Sequence, residues 1–350
     1  MTRQLTYAAA LREGLDLCLQ HDSRVYVMGL GVPDAKGLFG STLDLARVHG
    51  STRVRDMPTA ENAMTGVALG SALVGMRPVL THQRVDFALL AVEQMVNQVA
   101  KWHYMFGGQQ PVPLVIRMVI GRGWGQGPQH AQSLQAWFAH VPGLKVVMPA
   151  TPYDAKGLLI ASVEDDNPVI SLEHRWLYGV SGPVPEGVYR TPIQQARIAR
   201  SGNDVTVVAT SYMVLEALRA ADELALRGVS CEVIDLRTVA PLDEATLLES
   251  CRKTGRLVVA DTGATSFGVG AEIVARSTER CFSDLRAAPA RVGLPDCPAP
   301  SAPSLAAEYY PRSHAIVQAC HRVLGLPAPA PEAASSHPLD VPDPDFTGPF

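Results

Sequence analysis

Three stretches of the 350-residue chain set reactive side chains where α/β proteins carry out chemistry. In DMPTAENAMTGVALGSALVG (residues 56–75), Glu61 opens a run in which Gly66, Ala68, Gly70, Ala72 and Gly75 are small enough for another backbone to approach closely. A carboxylate there either handles a proton or simply complements the positive end of a helix. In THQRVDFALLAVEQMVNQVAKWHYMFGG (81–108), the apolar run PVLT empties into His82, Gln83, Arg84, Asp86 and Phe87 before a long helical pattern begins. Ligands bind outside such carboxyl ends of strands, although the same text also suits a solvated loop with Phe87 in the core. In RMVIGRGWGQGPQHAQSLQAWFAH (117–140), a glycine-rich loop delivers His130. An imidazole titrates near neutrality and is a general acid/base candidate, while a lone loop histidine is more often structural.

Other chemistries are excluded. The chain has no G-x-x-x-x-G-K-[ST] loop, and GRGWGQG at 121–127 lacks the strand-to-helix context and downstream acid of a dinucleotide fingerprint. The ten histidines include no H-x-x-x-H pair with a supporting acid, and the six cysteines are scattered without CxxC pairs, so neither a zinc site nor a disulfide framework is encoded. A net charge of −4 offers no field for nucleic acid or an anionic membrane. The first twenty residues read as an amphipathic helix and not a signal peptide, and no apolar run reaches the roughly 18 residues of a membrane span. A soluble, cytoplasmic protein is expected. Charged residues make up only 18% of the chain, against about 25% in ordinary domains, which predicts an obligate oligomer with much surface buried against a partner.

The elements that must position these residues alternate. RVYVMG (from 24), PVLT (78), VPLVIRM (112), LKVVMP (144) and PVISL (168) are continuous apolar runs, as buried parallel strands are. Helical patterns lie between them near Glu61–Gly75, Phe87–Met105, Ser133–His140 and Pro152–Val163. A second series follows in DVTVVAT, CEVIDL, RLVVAD and ARVGL, with a helix from Met213 to Arg227 that sets Val214, Leu218, Ala221 and Ala225 on one face before Gly228 stops it. The expected fold class is α/β with two sequential doubly wound domains: 1–185, a linker at 186–203, and 204–325. Residues 326–350 hold seven prolines and form an extended tail, either a passive appendage or a strap anchored by Phe346 and Phe350.

Taken together, DMPTAENAMTGVALGSALVGMRPV, GGQQPVPLVIR, GPQHAQS, HVPGLKVVMPATPYDAKGLL, DDNPVISLEH and VIDLRTVAPLD make residues 5–325 resemble the β subunit of the thiamine diphosphate-dependent 2-oxo acid dehydrogenase component. This transketolase-like family includes pyruvate, branched-chain and acetoin types. The resemblance implies a transketolase-like pyrimidine-binding domain followed by a transketolase C-terminal-like domain. It makes Glu61 the acid that hydrogen-bonds the cofactor's aminopyrimidine ring and favours the imino tautomer, whose exocyclic nitrogen takes the proton from the thiazolium carbon. Phe87 matches the aromatic that packs on the pyrimidine, Gln83 a position lining the same pocket, and His130 the loop histidine that handles the substrate carbonyl and acyl transfer.

The same resemblance implies that an α subunit supplies Mg²⁺ and diphosphate binding through a GDG-type motif, which this sequence lacks. It further implies an α₂β₂ heterotetramer with two β chains in contact, a lipoyl-bearing acyltransferase as acceptor, and a structural K⁺ held at Leu114, Ser162, Asp165 and Asn167.

Departures bear on substrate class. Thr81, His82, Gln83, Arg84 and Val85 replace the usual E-F-M-x-F text, so His82 and Arg84 are candidates to bind a substrate carboxylate, phosphate or hydroxyl. Gly29-Leu30-Gly31 stands in place of an acidic turn, Trp124 enlarges the loop before His130, and Asp261 replaces a glutamate. The main expectation is 2-oxo acid decarboxylation with acyl transfer to lipoyl. Two alternatives stand beside it: a transketolase-like or acyloin-forming carbon–carbon ligase, and a catalytically silent assembly subunit.

Overall fold

Stretches rich in Val, Ile and Leu form the strands of both sheets in the computed structural model, which describes residues 3–123 and 125–329. Trp124, Phe346 and Phe350, singled out above, lie outside the described residues. The chain divides into two units, one built mainly from residues up to 121 and from 137–193, the other from 122–136 and from 194 onward.

In the first unit, strands run in the order Lys145–Val147, Val169–His174, Val115–Ile120, Arg77–His82, Val25–Gly29 and Val54–Arg55, all parallel. Val25–Gly29, Val115–Ile120 and Val169–His174 are buried along their whole length, which is why their sequences read as nearly unbroken apolar runs. Register pairs His82 with Met118 and Met118 with Leu172, so these side chains share one face of the sheet. On the opposite face Arg117 and Glu173 form a buried bidentate ion pair at 2.7 and 2.9 Å. Tyr178 Oη adds a bond to Glu173 at 2.6 Å, and Arg117 reaches Ser41 Oγ at 3.1 Å.

Helices Tyr7–His21 and Pro152–Glu164 pack closely where Gly14 faces Leu159, since a Cβ at Gly14 would lie 3.3 Å from Leu159 Cδ2. Both helices are capped by threonine hydroxyls: Thr6 accepts from Ala9 N and Thr151 from Asp154 N. The pattern at 87–105 does not make one helix. It breaks into helical turns at Val85–Ala88 and Trp102–Met105, a 3₁₀ turn at Leu89–Ala91 and a π-helical stretch at Gln94–Val99. A π-turn inserts a residue into the ladder and rotates the faces on either side of it, which a fixed 3.6-residue period cannot register. The helix expected at 133–140 is likewise only Gln135–Ala139.

The second unit carries a five-stranded sheet in the order Ala290–Leu294, Leu257–Ala264, Val205–Ala209, Cys231–Asp235 and Arg197–Arg200. The last is an antiparallel edge strand that falls inside the 186–203 stretch. Helix Met213–Ala225 buries Val214, Ala217, Ala220, Ala221 and Leu224. This corrects the expected stripe, because Leu218 is only half-buried and Ala225 is exposed. The rotation brings Glu216 inward, where it accepts from Tyr212 Oη at 2.7 Å, Arg219 at 2.7 Å, Arg312 Nε at 3.0 Å and Ser313 N at 2.8 Å.

Candidate active site

The carboxyl ends of the first unit's strands gather most of the singled-out residues. Glu61 is the first residue of helix Glu61–Leu73, preceded by Ala60, whose methyl cannot cap the free N–H groups. Glu61 is nevertheless only 6% exposed. Among the described residues nothing donates to the Glu61 carboxylate, although its main-chain oxygen accepts from Thr65 Oγ1 at 2.8 Å. The acceptor capacity of the carboxylate is left unused by the described residues.

Gln83 follows strand Arg77–His82 and donates through Nε2 to Leu30 O at 3.2 Å. The Gly29-Leu30-Gly31 turn has a steric cause as well: a Cβ on Gly29 would fall onto the Thr81 carbonyl oxygen, and Gly31 adopts φ +71° with Gln83 Nε2 3.2 Å from where its Cβ would be. Phe87 lies half-buried in the short helix Val85–Ala88, its N–H bonded to Arg84 O at 3.2 Å.

His82 and Arg84 are more deeply set than surface ligands would be. His82 is 1% exposed with neither ring nitrogen hydrogen-bonded, and burial lowers its pKa to about 4, so the imidazole is neutral at pH 7. Arg84 is buried, its Nε 3.3 Å from Asp86 Oδ2 and its Nη2 donating to Gly121 O. Gly121 has φ +74°, and a Cβ there would collide with the His174 ring.

Sequence reasoning missed two basic residues at this edge, His174 and Arg175. The latter stacks its guanidinium 4.6 Å from the Phe39 ring centre and 5.3 Å from that of Tyr178. Burial, with Arg84 nearby, lowers the Arg175 pKa from its ordinary value. The available signal was that PVISL runs on into EHRW, another strand end of the kind already flagged at His82.

His130 belongs to the second unit, where Pro128–His130 make a single 3₁₀ turn with His130 N bonded to Gly127 O at 3.2 Å. The four oxygen positions singled out for a cation cluster in the first unit at the end of helix Pro152–Glu164 and beside it. Leu114 O accepts from Val169 N at 3.0 Å and Ser162 O from Asp165 N at 3.3 Å. Asp165 O accepts from Arg77 Nη1 at 3.0 Å, and the Asp165 carboxylate from Lys145 Nζ at 2.5 Å. Asn167 Oδ1 is buried and has no partner. No group of three or more His, Cys, Asp or Glu suited to a metal occurs among the described residues.

Residues 3–180 match the transketolase pyrimidine-binding domain family and residues 194–316 the transketolase C-terminal domain family. Over 334 residues the chain is 41% identical to the β subunit of acetoin:2,6-dichlorophenolindophenol oxidoreductase of Cupriavidus necator, spanning 93% of this chain and 98% of that one. It is 40% identical over 336 residues to the mitochondrial pyruvate dehydrogenase E1 component subunit β-2 of Oryza sativa subsp. japonica, spanning 94% and 89%. Among solved structures, a split gene transketolase described as an inactive β4 tetramer superposes with a TM-score of 0.74 at 25% identity, covering 92% of this chain and 99% of that one. With both domain types in the same order, and relatives of this identity spanning nearly its whole length, the chain belongs to the transketolase-like family of E1 β subunits of thiamine diphosphate-dependent 2-oxo acid dehydrogenases.

Proposed function

We propose that this chain is the β subunit of a two-chain enzyme that decarboxylates a 2-oxo acid and transfers the acyl group to a lipoyl acceptor, active only with an α subunit. The observation that carries this reading is Glu61, a residue 6% exposed at a helix start whose carboxylate receives no hydrogen bond from the described residues. Thiamine diphosphate, when bound, would supply a nucleophilic thiazolium carbon and an electron sink for decarboxylation. Glu61 would hold a proton at the cofactor's pyrimidine ring, Phe87 would pack against that ring, and Gln83 would line the pocket. His130 would exchange a proton with the substrate carbonyl oxygen. We take residues 1–185 as the pyrimidine-binding half and 204–325 as the C-terminal half. The cytoplasm is the proposed compartment, in keeping with six free cysteines, five of them buried; among the described residues no helix is long and apolar enough to cross a membrane.

Mg²⁺ would be held mainly by the α subunit. A K⁺ at Leu114, Ser162, Asp165 and Asn167 is supported by the orphaned Asn167 Oδ1, since a hard cation takes oxygen ligands of this kind. Assembly with α and with a second β chain is supported by the outer face of helix Glu61–Leu73, where Val67 is 53% exposed, Gly70 faces open space and the adjoining Val74 is 81% exposed. A ligase that grips a polar acceptor through His82 and Arg84 is less well supported, because both residues are buried and the Arg84 guanidinium is engaged with Asp86 and Gly121. They would instead shape the pocket wall.

The test is reconstitution. The purified chain mixed with its α subunit, thiamine diphosphate and Mg²⁺ should decarboxylate one member of a 2-oxo acid panel with an artificial electron acceptor, and neither chain should do so alone. A stable complex silent on every 2-oxo acid, but active on sugar phosphates or aldehydes, would overturn the dehydrogenase reading.

A further inference from the structure

The segment from Arg122 to Gln135, which carries His130, is packed within the second unit and fastened near both ends. At its start the buried Arg122 donates from Nη1 to Pro300 O at 3.0 Å and from Nη2 to Ser301 O at 3.4 Å. Gly127 lies so close to Ser301 that a Cβ would run into the serine hydroxyl. At its end Gln135, 1% exposed, donates from Nε2 to Asp261 Oδ1 at 2.8 Å and to Thr262 Oγ1 at 3.4 Å. Thr210 Oγ1 donates to the same Asp261 oxygen at 2.5 Å, and the N–H groups of Thr262 and Gly263 point to the carboxylate as well. Gly263 makes room for the bond, since a Cβ there would come within 2.6 Å of Gln135 Nε2.

This arrangement is expensive. Asp261 is 3% exposed, the donors named here are neutral, its Oδ2 is left without a partner, and burial raises its pKa. Gln135 Oε1 is buried and orphaned too. An apolar pair of similar volume would join the loop to the sheet at less cost, but without fixing a direction, whereas a hydrogen bond to one carboxylate oxygen sets both distance and angle. His130 lies five residues from Gln135, within a segment held at Arg122 on the other side.

We propose that Asp261 and Gln135 are positioning residues that set the placement of His130, with Asp261 acting only through Gln135. The inference rests on the reading of His130 as an acid/base group. A misplacement of about 1 Å is enough to cost on the order of 100-fold in rate.

The experiment compares Asp261→Ala, Asp261→Asn, Gln135→Ala and His130→Ala in the reconstituted complex, following kcat, KM and amide hydrogen exchange of residues 128–134. Asp261→Ala and Gln135→Ala are expected to speed exchange across 128–134 and to lower kcat by about 10- to 100-fold with KM little changed. Asp261→Asn keeps the accepting oxygen and should restore both loop protection and most of the turnover. Unchanged loop exchange in Gln135→Ala, or an Asp261→Asn variant as impaired as Asp261→Ala, overturns the proposal. Should Asp261→Ala fail to fold, Gln135→Ala still decides, because it removes only the loop's half of the bond. A loosened loop together with a fully active His130→Ala enzyme would instead count against the role given to His130, and the mechanical tie would stand.

Discussion

Burial and hydrogen bonding decide what each side chain is able to do. Glu61→Gln keeps the size of the side chain and removes its charge, so turnover of the reconstituted enzyme is expected to fall by about 10²- to 10⁴-fold while sedimentation shows the complex intact. Wild-type turnover in that variant would remove Glu61 from the chemistry. His82 gives a pH prediction. Its folded pKa of about 4 lies below the ordinary 6.5, so the protein gains stability from it above pH 6.5 and loses that stability as pH falls toward 4. The loss amounts to about 3 kcal/mol, and His82→Phe should flatten a urea-denaturation profile between these two values. An equally steep profile in the variant would assign the acid sensitivity elsewhere. Arg117 belongs to the opposite face of the sheet, and Arg117→Met leaves the Glu173 carboxyl buried beside Tyr178 without its cation. Such a change is expected to cost about 3–5 kcal/mol in chemical denaturation.

Elements follow from how the local pattern meets its neighbours. The strands were legible because burial on both faces leaves continuous apolar text, and Glu61 because it stands at the head of a helical run. The 87–105 stretch was not, since its π-helical portion breaks the period on which the reading depended. The stripe on Met213–Ala225 was misplaced because Glu216 reads as a surface residue until the partners that satisfy it, Arg312 and Ser313, are known from almost a hundred residues away. His174 and Arg175 escaped notice although they stand at a strand end. The glycine turn at 29–31 gives an element-scale prediction: Gly29→Ala pushes a methyl onto the Thr81 carbonyl oxygen and should lower thermal stability, by about 1–3 kcal/mol in the manner of overpacking, with no change in secondary-structure content. An unaltered melting temperature would mean that the strand ends part without cost.

At the scale of the molecule, the low charge content points to a partner, and the exposed Val67 and Val74 are the proposed place for it to sit. Val67→Lys and Val74→Lys should leave the melting of the isolated chain nearly unchanged and block assembly with α or with a second β chain, as read by analytical ultracentrifugation. Normal assembly of both variants would move the interface elsewhere. What composition and periodicity could not reveal is which unit holds a given loop, because docking is a property of distant residues. His130 follows the first unit's strand Val115–Ile120 in sequence, yet Pro300, Ser301 and Asp261 hold the segment that bears it.

That excursion of residues 122–136 limits how such a protein can be divided or recombined. A cut near residue 193 looks natural from the sequence, but the fragment ahead of it would carry a loop stripped of its docking surface. The fragment behind it would expose the Asp261 carboxylate that Gln135 now covers. A chimaera between two relatives with its junction at that point would pair one parent's loop with the other's strand end, so the unit of inheritance has to be residues 122–136 together with everything after 193.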